Sequence, residues 1–168
     1  RRANQLAALT EISSRITAAL RRDEVIALAF DEMQNVIGYD IMSLWWIEDE
    51  DVVLEAARGY EPQTDGTRVQ IASHDRLRRV ADTQRAVTIS HLQGWDTLPG
   101  EGGHQSWLGV PLLRQGQAVG MITLAVTQPA FYDAQAEQAA LVFANQLAVA
   151  LVNADLFEEA TMRTQRLS

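Results

Sequence analysis

The segment SWLGVPLLRQGQAVGMITLAV, residues Ser106 to Val126, is typical of two apolar strands joined by a polar turn. Side chains alternate between the two faces of a strand. One face of this hairpin is uniformly aliphatic and contains Leu108, Val110, Ile122 and Leu124. The other face is uneven in size and carries a hydroxyl; its members are Trp107, Gly109, Pro111, Met121, Thr123 and Ala125. We expect helices on the aliphatic face and a hollow at Gly109, beside Trp107, on the uneven face. For Gly120 we expect a close helix contact.

Composition limits the class of protein. The chain has 168 residues, is 47% hydrophobic and carries a net charge of −8. This size suits one domain with a real core, and the acidity argues against a surface for nucleic acid or anionic membranes. Cysteine is absent. Disulfides, thiolate catalysis, zinc ribbons and thioether-linked chromophores are therefore excluded.

Targeting signals are not evident. The first residues, RRANQLAALTEIS, lack the apolar run of a signal peptide. The longest apolar runs, residues 139–144 and 147–152, are interrupted by Asn145 and Gln146, so we expect no membrane span. The sequence predicts a soluble cytoplasmic domain without membrane contact. Because it begins and ends in helical patterns, we expect it to be part of a longer protein.

Periodicity predicts the order of the elements. A first amphipathic helix is expected over residues 3–20, and a second one capped by Asp23 and ended by Gly38. A helix capped by Ser73 should reach Gln84, with Leu77 and Val80 facing inward and Arg76, Arg78 and Arg79 around them. The other predicted segments are the strands Ile41–Ile47, Val52–Ala57, Arg68–Ile71 and Val87–Ile89 and the long loop His91–Gln105.

The last helix, capped by Asp133, is apolar on two sides. One side is a heptad seam of Ala136, Ala140, Phe143, Leu147, Ala150, Ala154 and Phe157. The other side carries Leu141, Val149 and Val152. Such a helix needs two partners: its own sheet, and either the N-terminal helix or a second copy of the chain. The order of elements predicts an α+β domain with a mostly antiparallel sheet and helices at both chain ends.

The chain resembles GAF domains over roughly residues 23–157. The hairpin SWLGVPLLRQGQAVGMITL, followed by Phe131 and a helix, is similar to the family's Val-Pro-Leu strand, polar turn and Gly-containing strand. GYDIMSLWWIEDEDVVLEAARGYE matches the first hairpin, and RVADTQRAVTIS the middle helix and strand, although Gln84 and Ala86 replace the Gly and Pro of many members. The resemblance implies a six-stranded antiparallel sheet with both terminal helices packed on one face, often as a parallel dimer. Residues 1–22 are then a dimerisation helix and residues 158–168 a helical linker.

The resemblance also implies a small-molecule pocket on the face away from the helices. It places Trp45 on that side, and the loop His91–Gln105 would cover the pocket. The candidate ligand-binding residues are Ser43, Trp45, Leu77, Val80, Trp95, Trp107, Gly109, Pro111, Met121, Thr123 and Ala125. In the alternative interpretation, the tryptophans simply fill the core.

Several ligands and activities are disfavoured. His74, His91 and His104 show no metal-ligand spacing, so no metal site is expected. The family's nucleotide-binding signature is missing, because Thr127-Gln128 precede Phe131 and Gln135-Ala136 follow it. The family's methionine sulfoxide reductases depend on cysteines, so we expect no enzymatic activity and no catalytic residues. The cofactor is left unknown; a covalent bilin is excluded, and non-covalent haem stays open.

Two functions follow from the resemblance. The first is a sensory module that binds a small apolar or heterocyclic ligand and signals through dimeric terminal helices. Its output would be a histidine kinase, a diguanylate cyclase or a similar domain, within two-component or cyclic nucleotide signalling. The alternative is a ligand-free fold that serves dimerisation and signal relay.

Overall fold

The computed structural model describes residues 21–62 and 66–167. The helix predicted over residues 3–20 lies outside the described residues. In chain order, the elements are α1 (Arg22–Val36), β1 (Ile41–Glu48), β2 (Asp51–Arg58), β3 (Arg68–Gln70), a 3-10 turn (Ile71–Ser73), α2 (Asp75–Thr83), β4 (Val87–Ile89), β5 (Ser106–Arg114), β6 (Gln117–Val126) and α3 (Ala134–Leu167).

The six strands form one antiparallel sheet in the order β3-β2-β1-β6-β5-β4. This confirms the predicted α+β class and strand number. In the central β5–β6 hairpin, Leu108 pairs with Leu124 and Val110 with Ile122, so the aliphatic face of the opening segment is continuous across both strands. The long connection at residues 90–105 contains no helix or strand, as predicted.

Helices α1 and α3 pack together on the aliphatic face of the sheet. Leu108, Val110, Ile122 and Leu124 are buried there. The predicted seam of α3 faces the same way, and its buried members are Ala140, Phe143, Leu147, Ala150 and Ala154. The hydrophobic free energy of the seam therefore stabilises the chain's own core. Because Leu147 is fully buried within one chain, the seam is the side of α3 that meets its own sheet, and a dimer surface that includes Leu147 is ruled out.

The outer side of α3 is apolar and exposed. Val142, Val149 and Leu156 follow one another at intervals of seven residues and are 40%, 62% and 56% exposed. By length and composition alone, the part of α3 from Ala134 to Thr164 could cross a membrane, contrary to the expectation that every apolar run is too short. Core helices of soluble proteins meet the same criterion, and one side of α3 lies against the sheet.

Helix caps follow the prediction only in part. The backbone N–H of Ala136 donates to Asp133 at 2.9 Å, which confirms the cap of α3. Gly38, at φ +91°, ends α1 as predicted. The cap predicted at Asp23 is wrong, because that residue lies inside the first turn of α1. Ser73 is not a cap either: α2 begins at Asp75, and the Ser73 hydroxyl donates to Gln70.

Gly120 lies against the sheet rather than against a helix. A Cβ atom there would be 2.5 Å from the carbonyl oxygen of Trp45 and 2.9 Å from the ring of Trp46. The predicted close contact is present, but its partner is strand β1 and not a helix. The strand itself, together with the Trp46 ring, explains why a glycine occupies this position.

Candidate functional site: the loop-covered face

A second core lies on the opposite face of the sheet. Strand side chains alternate, so the residues between those of the aliphatic face point to this side. Helix α2 and the loop 90–105 cover it, and Leu92 and Leu98 of the loop are buried in it. The structure brings the predicted site residues together here: Trp45, Leu77, Val80, Trp107, Met121 and Ala125 belong to one buried cluster, and Trp95 packs against it.

The polar groups of the candidate site bond to one another. The indole N–H of Trp45 donates to the Thr123 hydroxyl at 3.0 Å, and the hydroxyls of Ser43 and Tyr60 are 2.8 Å apart. Burial raises the pKa of the Tyr60 phenol, although its hydrogen bond with Ser43 acts in the opposite direction. Tyr60 therefore stays protonated at neutral pH. Thr123, which the alternation placed on the ligand side, serves as the acceptor for Trp45.

The expected hollow at Gly109 is occupied by the protein itself. A Cβ atom at Gly109 would overlap the ring of Trp107, which lies across this position. Trp45 and Trp107 are each only 1% exposed. Gly109 of β5 pairs with Thr123 of β6, and the buried Pro111 pairs with Met121, so these four candidates are neighbours across the β5–β6 hairpin. The two indoles thus fill the centre of this face.

A buried ion pair joins α2 to the covering loop. Arg76 is 2% exposed and donates through both terminal nitrogens to the two carboxylate oxygens of Glu101, each at 2.7 Å. Helical spacing places Arg76 beside the inward stripe of α2, whereas no pattern in the sequence singles out Glu101. The i, i+4 spacing of Arg76 and Val80, which puts both on one side of α2, was the available signal. The approach of Glu101 depends on the loop's path, for which the sequence has no periodic signal.

Two clefts open beside this ion pair. One of about 510 Å³ lies between the loop and the segment after β2, and Tyr60, Leu98, Pro99, Gly100 and Glu101 are among its lining residues. Another of about 190 Å³ is lined by His74, Asp75, Arg76, Gly94, Trp95 and Asp96. Solvent therefore approaches Glu101 from one side and Arg76 from the other.

The histidines and the other arginines of this region lie at its edge. His91 is exposed, whereas His74 and His104 are half-buried. Within residues 21–62 and 66–167, no group of three or more His, Asp or Glu side chains is placed to hold a metal ion. Arg78 and Arg79 are half-exposed and pair with Asp75, on a solvated helix face as expected. The guanidinium of Arg79 also lies 5.2 Å from the Trp95 ring centroid.

Comparison with known proteins identifies this architecture. The family model of the GAF domain matches residues 6–152. The chain belongs to the GAF domain family. Proteins with a GAF domain include sensors and signalling proteins, and the domain is generally a regulatory module. No curated protein matches the chain in sequence.

Solved GAF structures share the fold at low sequence identity. The GAF domain of an Acinetobacter phosphoenolpyruvate-protein phosphotransferase superposes with a TM-score of 0.78 at 20% identity, covering 90% of this chain and 95% of that one. A free methionine-R-sulfoxide reductase from Neisseria meningitidis, solved with its substrate, gives 0.78 at 15% identity and covers 92% of both chains. A bacteriophytochrome from R. palustris gives 0.72 at 13% identity, covering 96% of this chain and 40% of that one. At these identities the likeness establishes the fold alone.

Proposed function

We propose that this GAF domain is a non-enzymatic, cytoplasmic sensory module that binds a small molecule under the loop 90–105. The observation that carries the proposal is the position of the two clefts. They flank a core made of the predicted ligand-binding residues, and their cover is a long loop without regular structure. A loop held by few elements opens at a lower free energy than a strand or helix within the sheet.

Relay of the signal is proposed through α1 and α3. Arg22, at the start of α1, donates to Glu55 of β2 and to Asp155 of α3, with distances of 2.7 to 3.0 Å. Strand β2 contributes Leu54 to the loop-covered core, so a change in that core would reach the start of α1 and Asp155 within α3 through one strand. The two terminal helices would carry the signal to an output domain such as a kinase or cyclase.

We further propose that the domain is a homodimer through the exposed side of α3. The interval of seven residues between Val142, Val149 and Leu156 is that of a helix-pairing seam. Apolar side chains in such a row favour burial against a second copy. Val149→Glu should convert a dimer into a monomer by light scattering, with an unchanged circular dichroism spectrum. Gln117→Glu, which adds the same charge at the exposed first residue of β6, should leave the dimer intact.

Ligand binding is tested by native mass spectrometry of freshly purified protein, followed by fluorescence titration with any small molecule found. A ligand under the loop should quench tryptophan emission and raise the melting temperature. At about 100 times its dissociation constant it stabilises the fold by about 2.7 kcal/mol. Absence of any co-purified molecule, together with no thermal shift across a metabolite panel, would contradict the sensory proposal.

A second candidate function is a ligand-free module for dimerisation and relay. The close packing of Trp45 and Trp107 favours it, because both indoles already fill the centre of the loop-covered face. In that case Val149→Glu should still break the dimer, whereas no small molecule should alter the melting temperature.

A further inference from the structure

Arg76 binds the carboxylate of Glu101 in the way that a receptor arginine binds a carboxylate ligand. Its guanidinium presents two parallel N–H groups to the two oxygens of Glu101 at 2.7 Å, and one nitrogen also donates to the carbonyl of Asp96 at 2.5 Å. Two-point pairing of this kind is geometrically selective for planar carboxylates. Burying such a pair is costly and often stabilises no more than apolar packing would. Stability alone therefore does not account for it.

The carboxylate of Glu101 is delivered by the loop. Besides Arg76, its partner among the described residues is the backbone N–H of Leu98, which donates to it at 3.0 Å within the same loop. Gly100, Gly102 and Gly103 surround it, and a Cβ atom at Gly102 or Gly103 would meet open space. No strand among the described residues bonds to the Glu101 carboxylate, so its withdrawal would leave the hydrogen bonds of the sheet intact.

A second, independent observation lies beside Arg76. The indole N–H of Trp107 is buried and has no hydrogen-bond partner, and the Trp107 ring centroid is 4.9 Å from the Arg76 guanidinium carbon. Indole N–H and guanidinium groups donate hydrogen bonds and accept none. An unpaired buried donor destabilises the fold. A ligand that supplies negative charge and acceptor oxygens suits both the guanidinium and the unpaired indole N–H of this neighbouring pair.

The surroundings define the rest of the ligand. The larger cleft reaches Glu101 along the apolar and aromatic side chains of Tyr60, Leu98 and Pro99. A single guanidinium, rather than a cluster of cations, faces the site, which suits one carboxylate better than a phosphate dianion. A carboxylate attached to a small aromatic or aliphatic body matches both features.

We propose that the sensed ligand is such a carboxylate and that Glu101 is its internal competitor. The ligand displaces Glu101 from Arg76, offers an acceptor to the Trp107 indole, and releases the loop that carries Glu101. This inference rests on the proposed sensory function and names the ligand class and the signal-generating contact.

Benzoate and phenylacetate are suitable probes, with benzamide as the neutral analogue of benzoate. We expect both carboxylates to bind the intact 168-residue chain in calorimetric and tryptophan-fluorescence titrations, and benzamide to bind at least about tenfold more weakly, since a hydrogen bond to a charged group contributes more than one to a neutral group. Glu101→Gln removes the competing charge and should tighten benzoate binding about tenfold. Arg76→Met should abolish it, and Arg78→Met, the same change at an exposed arginine of α2, should have no effect.

The outcomes separate this inference from the sensory function. Equal binding of benzoate and benzamide would overturn it, and so would an affinity for benzoate that is unchanged in Glu101→Gln. If Arg76→Met does not fold, Arg76→Lys serves instead, because it keeps the positive charge without the two-point donor geometry of the guanidinium. It should weaken the binding of benzoate at least about tenfold. Unchanged binding would refute the role of Arg76. A neutral co-purified ligand that binds all variants equally would leave the sensory function standing and this inference refuted.

Discussion

The two faces of the sheet are covered in different ways. On one face, α1 and α3 bury a continuous aliphatic layer whose members recur with helical or strand periodicity. On the other, the short helix α2 and an irregular loop cover two tryptophans, an ion pair and two clefts. The helix-covered face forms the larger, regularly packed core. The loop-covered face is packed less regularly, and it combines buried polar groups with clefts that are open to solvent. Small-molecule sites have these features.

The largest expected difference concerns truncation in the two cores. Leu147→Ala, under α3, should cost close to 5 kcal/mol, since rigid helices leave the cavity unfilled. Leu98→Ala, in the covering loop, should cost about 2 kcal/mol, because the loop can relax into the space. Urea unfolding followed by circular dichroism measures both. Equal losses would mean that the loop is as rigid a cover as the helices.

A smaller effect is expected at the centre of the loop-covered face. Gly109→Leu places a side chain where the Trp107 ring lies and should destabilise the fold by about 1–3 kcal/mol. Gly102→Leu is the matched control, because a Cβ atom there meets nothing within 4 Å, and it should stay within about 0.5 kcal/mol of the parent. If Gly109→Leu proved equally harmless, the indole would be able to leave its place, and the hollow would be available to a ligand.

The smallest effect concerns the ion pairs that connect β2 to the helices. Burial alone would raise the pKa of Glu55, but hydrogen bonds from Arg22 and Trp46 outweigh it and hold that pKa below its usual value of 4.5. The stability that the Glu55 carboxylate contributes is therefore fully present well above pH 4.5 and is lost as the pH falls through the lowered pKa. Glu55→Gln should cost less than about 1 kcal/mol at neutral pH.

The effect of Glu55→Gln on stability at acidic pH is the more informative one. Between about pH 5 and pH 3, Glu55→Gln should lose less stability than the parent protein, because it has no carboxylate at this position to protonate. Glu61→Gln, at an exposed site, should follow the parent curve. Parallel curves for all three proteins would show that Glu55 does not couple α1 and α3 to the sheet.

Much of the architecture could be predicted from the sequence alone. Alternation along the hairpin separated Leu108 and Val110 from Trp107 and Met121, and the structure confirms both faces, because strand side chains alternate wherever a strand forms. Helix α3 and its cap at Asp133 were also predictable, since spacing and capping are local properties. The candidate residues on β1, β5 and β6 share one face through the same alternation, whereas Leu77 and Val80 come from α2 and Trp95 from the loop. Ligand binding by these residues stays a prediction.

Only the tertiary structure decided which surfaces meet. Both apolar sides of α3 are visible in the sequence, yet the fold buries Leu147 and exposes Val149, because the sheet can cover only one side of a helix. The ring of Trp107 fills the space at Gly109 through packing that no local pattern specifies. Helical spacing places Arg76 beside the inward stripe of α2, but its partner Glu101 comes from the covering loop, 25 positions further along the sequence. Local periodicity reports the face on which a residue lies, but the partner on that face comes from distant parts of the chain.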